Sequence, residues 1–336
     1  MTEYSSAELK ARLLELRFRP ELFESLAMDV FRWQYTYNET YSQYCKTLGI
    51  APQDVHKFED IPLLPITAFK YHSIKTGHWQ HETIFRSSGT TMLNRSAHYV
   101  REFQWYKDIA LSIWEDAFGS LRDVVILALL PGYLERGESS LVAMVDYFVS
   151  LGDSGYSGFY LYDTDRLMEM LVKCSQEDRK VVLFGVSYAL LQFSERYSLD
   201  FPELMIIETG GMKGLREDML KEDLFIELKR GFGTENVFSE YGMTELLSQS
   251  YTNGNVAFNM SWPQQMVVRQ INDPLSIEKP GKQGLLGVID LSNADTCSFI
   301  LTEDTGRLLS LRSFEWMGRL DQAEIRGCNL LIEDLM

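Results

Sequence analysis

Between about residues 124 and 238, short apolar runs alternate with longer amphipathic stretches, and this alternation restricts the fold more than any other feature of the chain. The runs at 124–130, 181–186, 204–207 and 237–238 are apolar and lack the apolar–polar alternation of a one-sided strand, the texture of strands buried on both faces. Helical patterns lie between or beside them, around 140–151, 164–174, 187–197 and 217–229. Strand–helix repetition of this kind predicts an α/β domain with a mostly parallel sheet. After about residue 261 the texture changes to short strand candidates at 267–268, 285–290, 297–301 and 308–311, separated by Gly, Pro, Asn and Asp. The expected organisation is therefore an α/β core over 1–260 and a small β-rich subdomain over 261–336, with no internal repeat or long linker.

Nearer the N-terminus, Leu22, Leu26, Val30, Trp33, Tyr37, Tyr41 and Tyr44 recur at three- and four-residue steps, which predicts one helix with an apolar face, leaving Asn38 and Thr40 off that face. Ser5 and Ser6 followed by Glu8 mark the start of an earlier helix. The proline-bearing stretch 61–69 reads as irregular. Residues 102–118 read as a further helix, with Trp105, Ile109, Ile113 and Ala117 at helical spacing.

With 48 acidic against 32 basic residues the formal net charge is -16, which disfavours non-specific binding to nucleic acid or anionic membrane. No basic segment followed by an apolar one opens the chain, and the apolar run 124–130 is far short of the ~20 residues of a membrane span. Cys45, Cys174, Cys297 and Cys328 are scattered without a CxxC pair, so neither a zinc site nor a disulfide framework is expected, and a reducing cytoplasm fits.

Five segments carry groups suited to nucleotide chemistry. Ser87, Ser88, Gly89, Thr90 and Thr91 form a small, hydroxyl-rich loop able to wrap phosphates with backbone N–H groups, with Arg95 and His98 just beyond it. Gly210 and Gly211 follow an apolar strand, where α/β sheets bind nucleotides. Tyr241, Gly242, Thr244 and Glu245 follow the next strand and offer a ring for a base, a hydroxyl for a phosphate and a hard oxygen for magnesium. Asp304 sits in a predicted turn over 302–306, and Arg319 opens a Gly-bounded segment over 318–327. Read singly, each is equally a surface loop, a strand-to-helix turn or a helix cap.

In this order the segments resemble the adenylate-forming superfamily of acyl-CoA synthetases, adenylation domains and luciferases. The loop Ser87–Thr91 is similar to its SSGTTG phosphate loop; YGMTE at 241–245 matches its YGxTE motif; TEDTG at 302–306 resembles its TGDxG turn; and 318–327 resembles its GRxxDxIKxxG hinge. The segment ETGGMKG at 208–214 is similar to that of LuxE-like acyl-protein synthetases, the long-chain-fatty-acid–protein ligases, and Cys328 in RGCNL corresponds to the cysteine that takes the acyl group there as a thioester.

The resemblance implies a large N-terminal domain of the adenylate-forming fold, with the usual separate C-terminal lid domain truncated. It implies ATP and Mg2+, an acyl-adenylate made from a small-molecule carboxylic, fatty acid, and acyl transfer to a thiol. Ser87, Ser88, Gly89, Thr90 and Thr91 would hold phosphates, Tyr241, Gly242, Gly210 and Gly211 the adenine, Asp304 and Arg319 the ribose. Thr244 and Glu245 would place magnesium, and Cys328 would be the nucleophile. An acyl reductase or carrier protein is an implied partner. Met92, Leu93 and Asn94 depart from the family's Gly and Pro-Lys continuation, and Glu303 replaces a glycine. Two other readings stay open: transfer of the adenylate to CoA or a carrier protein in lipid or polysaccharide biosynthesis, and a degenerate nucleotide- or partner-binding protein.

Overall fold

The apolar runs form a parallel sheet. In the computed structural model, which describes residues 4–87, 95–130, 137–153, 155–210 and 219–320, Val125–Leu129, Val181–Val186, Met205–Thr209 and Val237–Tyr241 pair in parallel in that order. Gly158–Phe159 lies parallel beyond Val125–Leu129, and Ser250–Thr252 runs antiparallel to Val237–Tyr241. The helices Ser140–Leu151, Thr164–Gln176, Ser187–Arg196 and Lys221–Phe232 fall close to the expected stretches. Leu127, Leu183, Ile206 and Val237 from the strands pack with Leu171, Leu190, Leu228 and Phe232 from the helices. Burial of each side chain contributes about 2 kcal/mol, which explains why continuous apolar runs are needed here. Gly233 ends the last helix at φ +63°, and a Cβ there would lie 2.7 Å from Asp200 Cα, so no other residue fits.

The chain divides into two compact units that do not follow chain order. The parallel sheet and its helices form one, Ala110–Gly242 with Gln249–Phe258. The other comprises Met1–Ile109, Met243–Ser248 and Asn259–Met336. In this second unit Gln264–Arg269, Gly284–Asp290, Phe299–Ser310 and Ser313–Arg319 form an antiparallel sheet, joined in parallel by the two-residue strand Leu64–Pro65. A hairpin pairs Thr83–Arg86 with Ala97–Val100. The helix Ser6–Glu15 opens with the expected capping box, Ser5 and Glu8 each bonding the other's backbone N–H.

Two expectations need correction. The aromatic stripe does not lie on one helix but on two, Phe23–Tyr37 and Glu39–Thr47. Asn38 breaks them: its Oδ1 accepts the Tyr41 N–H at 3.0 Å as an N-cap, and its Nδ2 donates to the Thr296 carbonyl at 2.7 Å. Far from lying on an outer face, Asn38 is buried. Second, residues 302–306 are not a turn. They run inside the strand Phe299–Ser310, irregular between Asp304 and Gly306, because Asp304 pairs in register with Arg319 of the neighbouring strand. No helix among the described residues is long and apolar enough to cross a membrane.

Candidate active site

The hairpin sets the base of the hydroxyl-rich loop. Ser87 N–H donates to the Ser96 carbonyl at 3.2 Å, and Ser96 N–H donates to Ser87 Oγ at 2.9 Å. Arg95 Nε donates to the Ser87 carbonyl at 2.6 Å, so this guanidinium closes the loop base as well as adding charge there. Ser88, Gly89, Thr90 and Thr91 lie outside the described residues, as do Gly211 and Cys328.

In the same unit Thr244 and Glu245 form a tight turn, closed by Leu246 N–H to the Met243 carbonyl at 3.1 Å, where a capped helix was the alternative reading. Distant side chains hold the backbone of this turn and the residues after it. His98 Nδ1 lies 2.8 Å from the Thr244 carbonyl oxygen, and Asn293 Nδ2 donates to the Glu245 carbonyl at 2.9 Å. Asp290 Oδ2 accepts from Leu247 N–H and Ser248 N–H, both at 3.0 Å, and Gln264 Nε2 donates to the Ser248 carbonyl at 3.3 Å. A backbone held at so many points has little freedom left, which is how a carboxylate is kept at a fixed position.

Glu245 is 4% exposed. Burial raises its pKa, opposed by a hydrogen bond from the Ser96 hydroxyl and by the positive charges of Arg319 and Lys70. A carboxylate short of solvation in this way would be stabilised by a cation. Among the described residues no three His, Cys, Asp or Glu side chains converge, and magnesium needs only one or two protein carboxylates when phosphates supply the rest, so the donor set fits. Asp304 is buried, and its Oδ1 accepts from Arg319 Nε at 3.1 Å, while the Arg319 side chain remains 65% exposed.

The parallel-sheet unit holds a second polar group. Glu208, 1% exposed, accepts from the Ser187 hydroxyl at 2.6 Å, from the Ser239 hydroxyl, and from Lys221 Nζ at 3.0 Å. The Ser187 hydroxyl also lies 2.9 Å from the Gly210 carbonyl oxygen, and Gly210 adopts φ +78°, the left-handed turn for which glycine is suited. Glu240 accepts from the Thr209 hydroxyl at 2.5 Å, and burial, with the nearby Glu208 charge, raises its pKa to about 7. Tyr241 is buried, edge-on to Phe258 at 5.7 Å. Gly242 lets the Glu240 carboxylate approach, since a Cβ at 242 would meet its Oε1 at 2.3 Å.

The structure thus gathers Ser87, Thr244, Glu245, Asp304 and Arg319 in one unit and Gly210, Tyr241 and Gly242 in the other. Ser96, His98, Asp290, Asn293, Glu208 and Glu240 join these groups without having been singled out for such roles from sequence. His98 and Asp290 bond partners 146 and 42–43 positions away, and no local pattern announces such pairs. Glu208 did stand inside a recognised segment, beside its glycines.

The fold is that of the adenylate-forming ligases. An open form of 2-hydroxyisobutyryl-CoA ligase in complex with 2-HIB-AMP and CoA superposes with a TM-score of 0.66 at 12% identity, over 89% of this chain and 70% of that one. In sequence the chain is similar to a long-chain-fatty-acid–luciferin-component ligase of Aliivibrio fischeri, 22% identical over 94% of this chain and 89% of the relative. It is likewise similar to the ligase of the same name from Vibrio harveyi, at 23% over 87% and 80%. No family model matches. The resemblance carried by the five segments is matched by the fold and by sequence similarity over most of the chain.

Proposed function

We propose that this chain is an AMP-forming ligase that activates a fatty acid with ATP and passes the acyl group to its own Cys328. The observation that carries the reading is the buried Glu245 carboxylate, held on a turn whose backbone, with that of the residues after it, is bonded by the side chains of His98, Asn293, Asp290 and Gln264. In the first step a carboxylate oxygen of the acid attacks the α-phosphorus, the bond to the bridging oxygen breaks, and pyrophosphate leaves with its electron pair. The acid is already ionised at neutral pH, so positioning and charge neutralisation supply the catalysis. Glu245, with Thr244 beside it, would hold magnesium, which would supply positive charge to the phosphates. The loop from Ser87 to Thr91 takes the phosphates, Gly210, Gly211, Tyr241 and Gly242 the base, and Asp304 with Arg319 the ribose.

In the second step a thiolate attacks the acyl carbon and AMP leaves. Cys45, Cys174 and Cys297 are buried, and burial raises all three thiols, Cys45 to about 12. None of these is a ready thiolate, which favours Cys328, the remaining cysteine, as acceptor. A fatty acid is assigned on the similarity to the fatty-acid ligases, and an acyl reductase or carrier protein is the partner to which the thioester is delivered. The test is ATP–pyrophosphate exchange with straight-chain acids of ten to sixteen carbons, followed by intact mass. Exchange is expected, together with an acyl adduct that Cys328→Ser abolishes. Exchange without an adduct moves the acceptor to a separate thiol such as CoA, and no exchange with any acid overturns the ligase reading.

A further inference from the structure

We propose that His98 is a positioning residue that sets the conformation of Thr244 and Glu245 as a neutral imidazole bearing its proton on Nδ1. The inference rests on the roles assigned above to Thr244 and Glu245 and deepens them.

The proton's position follows from the partners. Nδ1 faces the Thr244 carbonyl oxygen at 2.8 Å, and a carbonyl only accepts, so Nδ1 must donate. Nε2 faces the Thr296 hydroxyl at 3.1 Å, which can donate to it. Thr296 is itself anchored, its carbonyl accepting from Asn38 Nδ2 at 2.7 Å and from the Thr76 hydroxyl at 2.6 Å. The ring is wholly buried and packs edge-on to Phe69 at 5.7 Å, so it can neither rotate freely nor exchange these partners for water.

Chain geometry makes the contact more than a satisfied core histidine. Ser96 and His98 stand two residues apart on the outgoing side of the hairpin, and in extended backbone such residues share a face. Ser96 bonds the Glu245 carboxylate, and His98 bonds the carbonyl of the preceding residue. Ser96 also closes the base of the hydroxyl-rich loop against Ser87. One short stretch of chain therefore holds that loop base and the Glu245 turn in a single register, and His98 is the member that grips the turn's backbone.

Three variants test this. Asparagine can place an N–H donor where Nδ1–H stands, whereas glutamine reaches toward the Nε2 position and alanine reaches neither. Melting temperatures first establish that each variant folds. Nitrogen-15 spectra of histidine-labelled wild-type protein should show His98 protonated on Nδ1 and bare on Nε2. Amide hydrogen exchange over 243–248 should rise in His98→Ala and His98→Gln and return toward wild type in His98→Asn. In ATP–pyrophosphate exchange, kcat should fall about ten- to a hundredfold in His98→Ala, with KM for ATP changed less than about threefold, and largely recover in His98→Asn. An Nε2–H resonance, or protection of 243–248 no better in His98→Asn than in His98→Gln, overturns the proposal. A wild-type protein without exchange activity overturns the ligase reading instead, and the resonance and amide-protection results still decide whether His98 holds the turn.

Discussion

In the parallel-sheet unit, Glu208 is held from its own surroundings, with a lysine at 3.0 Å and two serine hydroxyls as donors. In the other unit, the Glu245 carboxylate is bonded by the Ser96 hydroxyl and a backbone N–H and has no ion-pair partner within 4 Å among the described residues, while distant side chains bond the backbone around it. The first arrangement pairs a charge; the second fixes the position of a buried carboxylate whose pKa burial raises. The difference is the one expected between a carboxylate that builds the protein and one that, on the function proposed above, would meet a cation.

That comparison can be broken most forcefully at Glu208. Glu208→Ala removes the buried acceptor shared by the Lys221 ammonium and two serine hydroxyls, and is expected to cost about 3–5 kcal/mol of unfolding free energy in urea titration. A loss below about 1 kcal/mol would erase the contrast. Glu245→Gln should behave the other way round. It removes a charge that burial disfavours, so stability should hold or rise, while ATP–pyrophosphate exchange falls by about a hundredfold or more. Unchanged exchange would make Glu245 a structural residue like Glu208.

Glu240 sharpens the picture through pH. Its folded pKa of about 7 lies above the usual 4.5, so the folded state binds more protons between those values. The stability it contributes is full below about pH 4.5 and is lost as pH rises through about 7. Glu240→Gln should therefore flatten the fall in melting temperature over that window, recovering on the order of 1–3 kcal/mol at pH 8. A pH profile identical to wild type would place its carboxyl in the ordinary range.

Much of the fold was legible because the signals are local. Continuous apolar runs marked the strands around Val125–Leu129 and Val181–Val186, and Ser5 with Glu8 marked a helix start. Asn38 shows where such signals end: it stands within a run whose spacing reads as one helix, yet its partner Thr296 lies 258 positions away and helps decide that the helix stops. Asp304 was expected in a turn because Glu, Asp and Gly favour one, and pairing with Arg319 drew the segment into a strand instead. For the candidate site, motif order singled out Glu245, while the residues that hold its turn come from segments scattered over the chain.

The interleaving of the two units has a consequence for biosynthesis. The parallel-sheet unit lies entirely within residues 110–258, so its pieces are all present once that stretch has left the ribosome. The other unit begins with the first hundred residues and is completed only by those after 259. Ser6 must wait for Asp295, Gln34 for Ser298 and Asn38 for Thr296. At synthesis rates of about 5–20 residues per second, the N-terminal helices spend ten seconds or more without their partners. Their aromatic faces are then the surfaces on which a chaperone would act, and the turn at Glu245 lacks Gln264, Asp290 and Asn293 until those residues emerge.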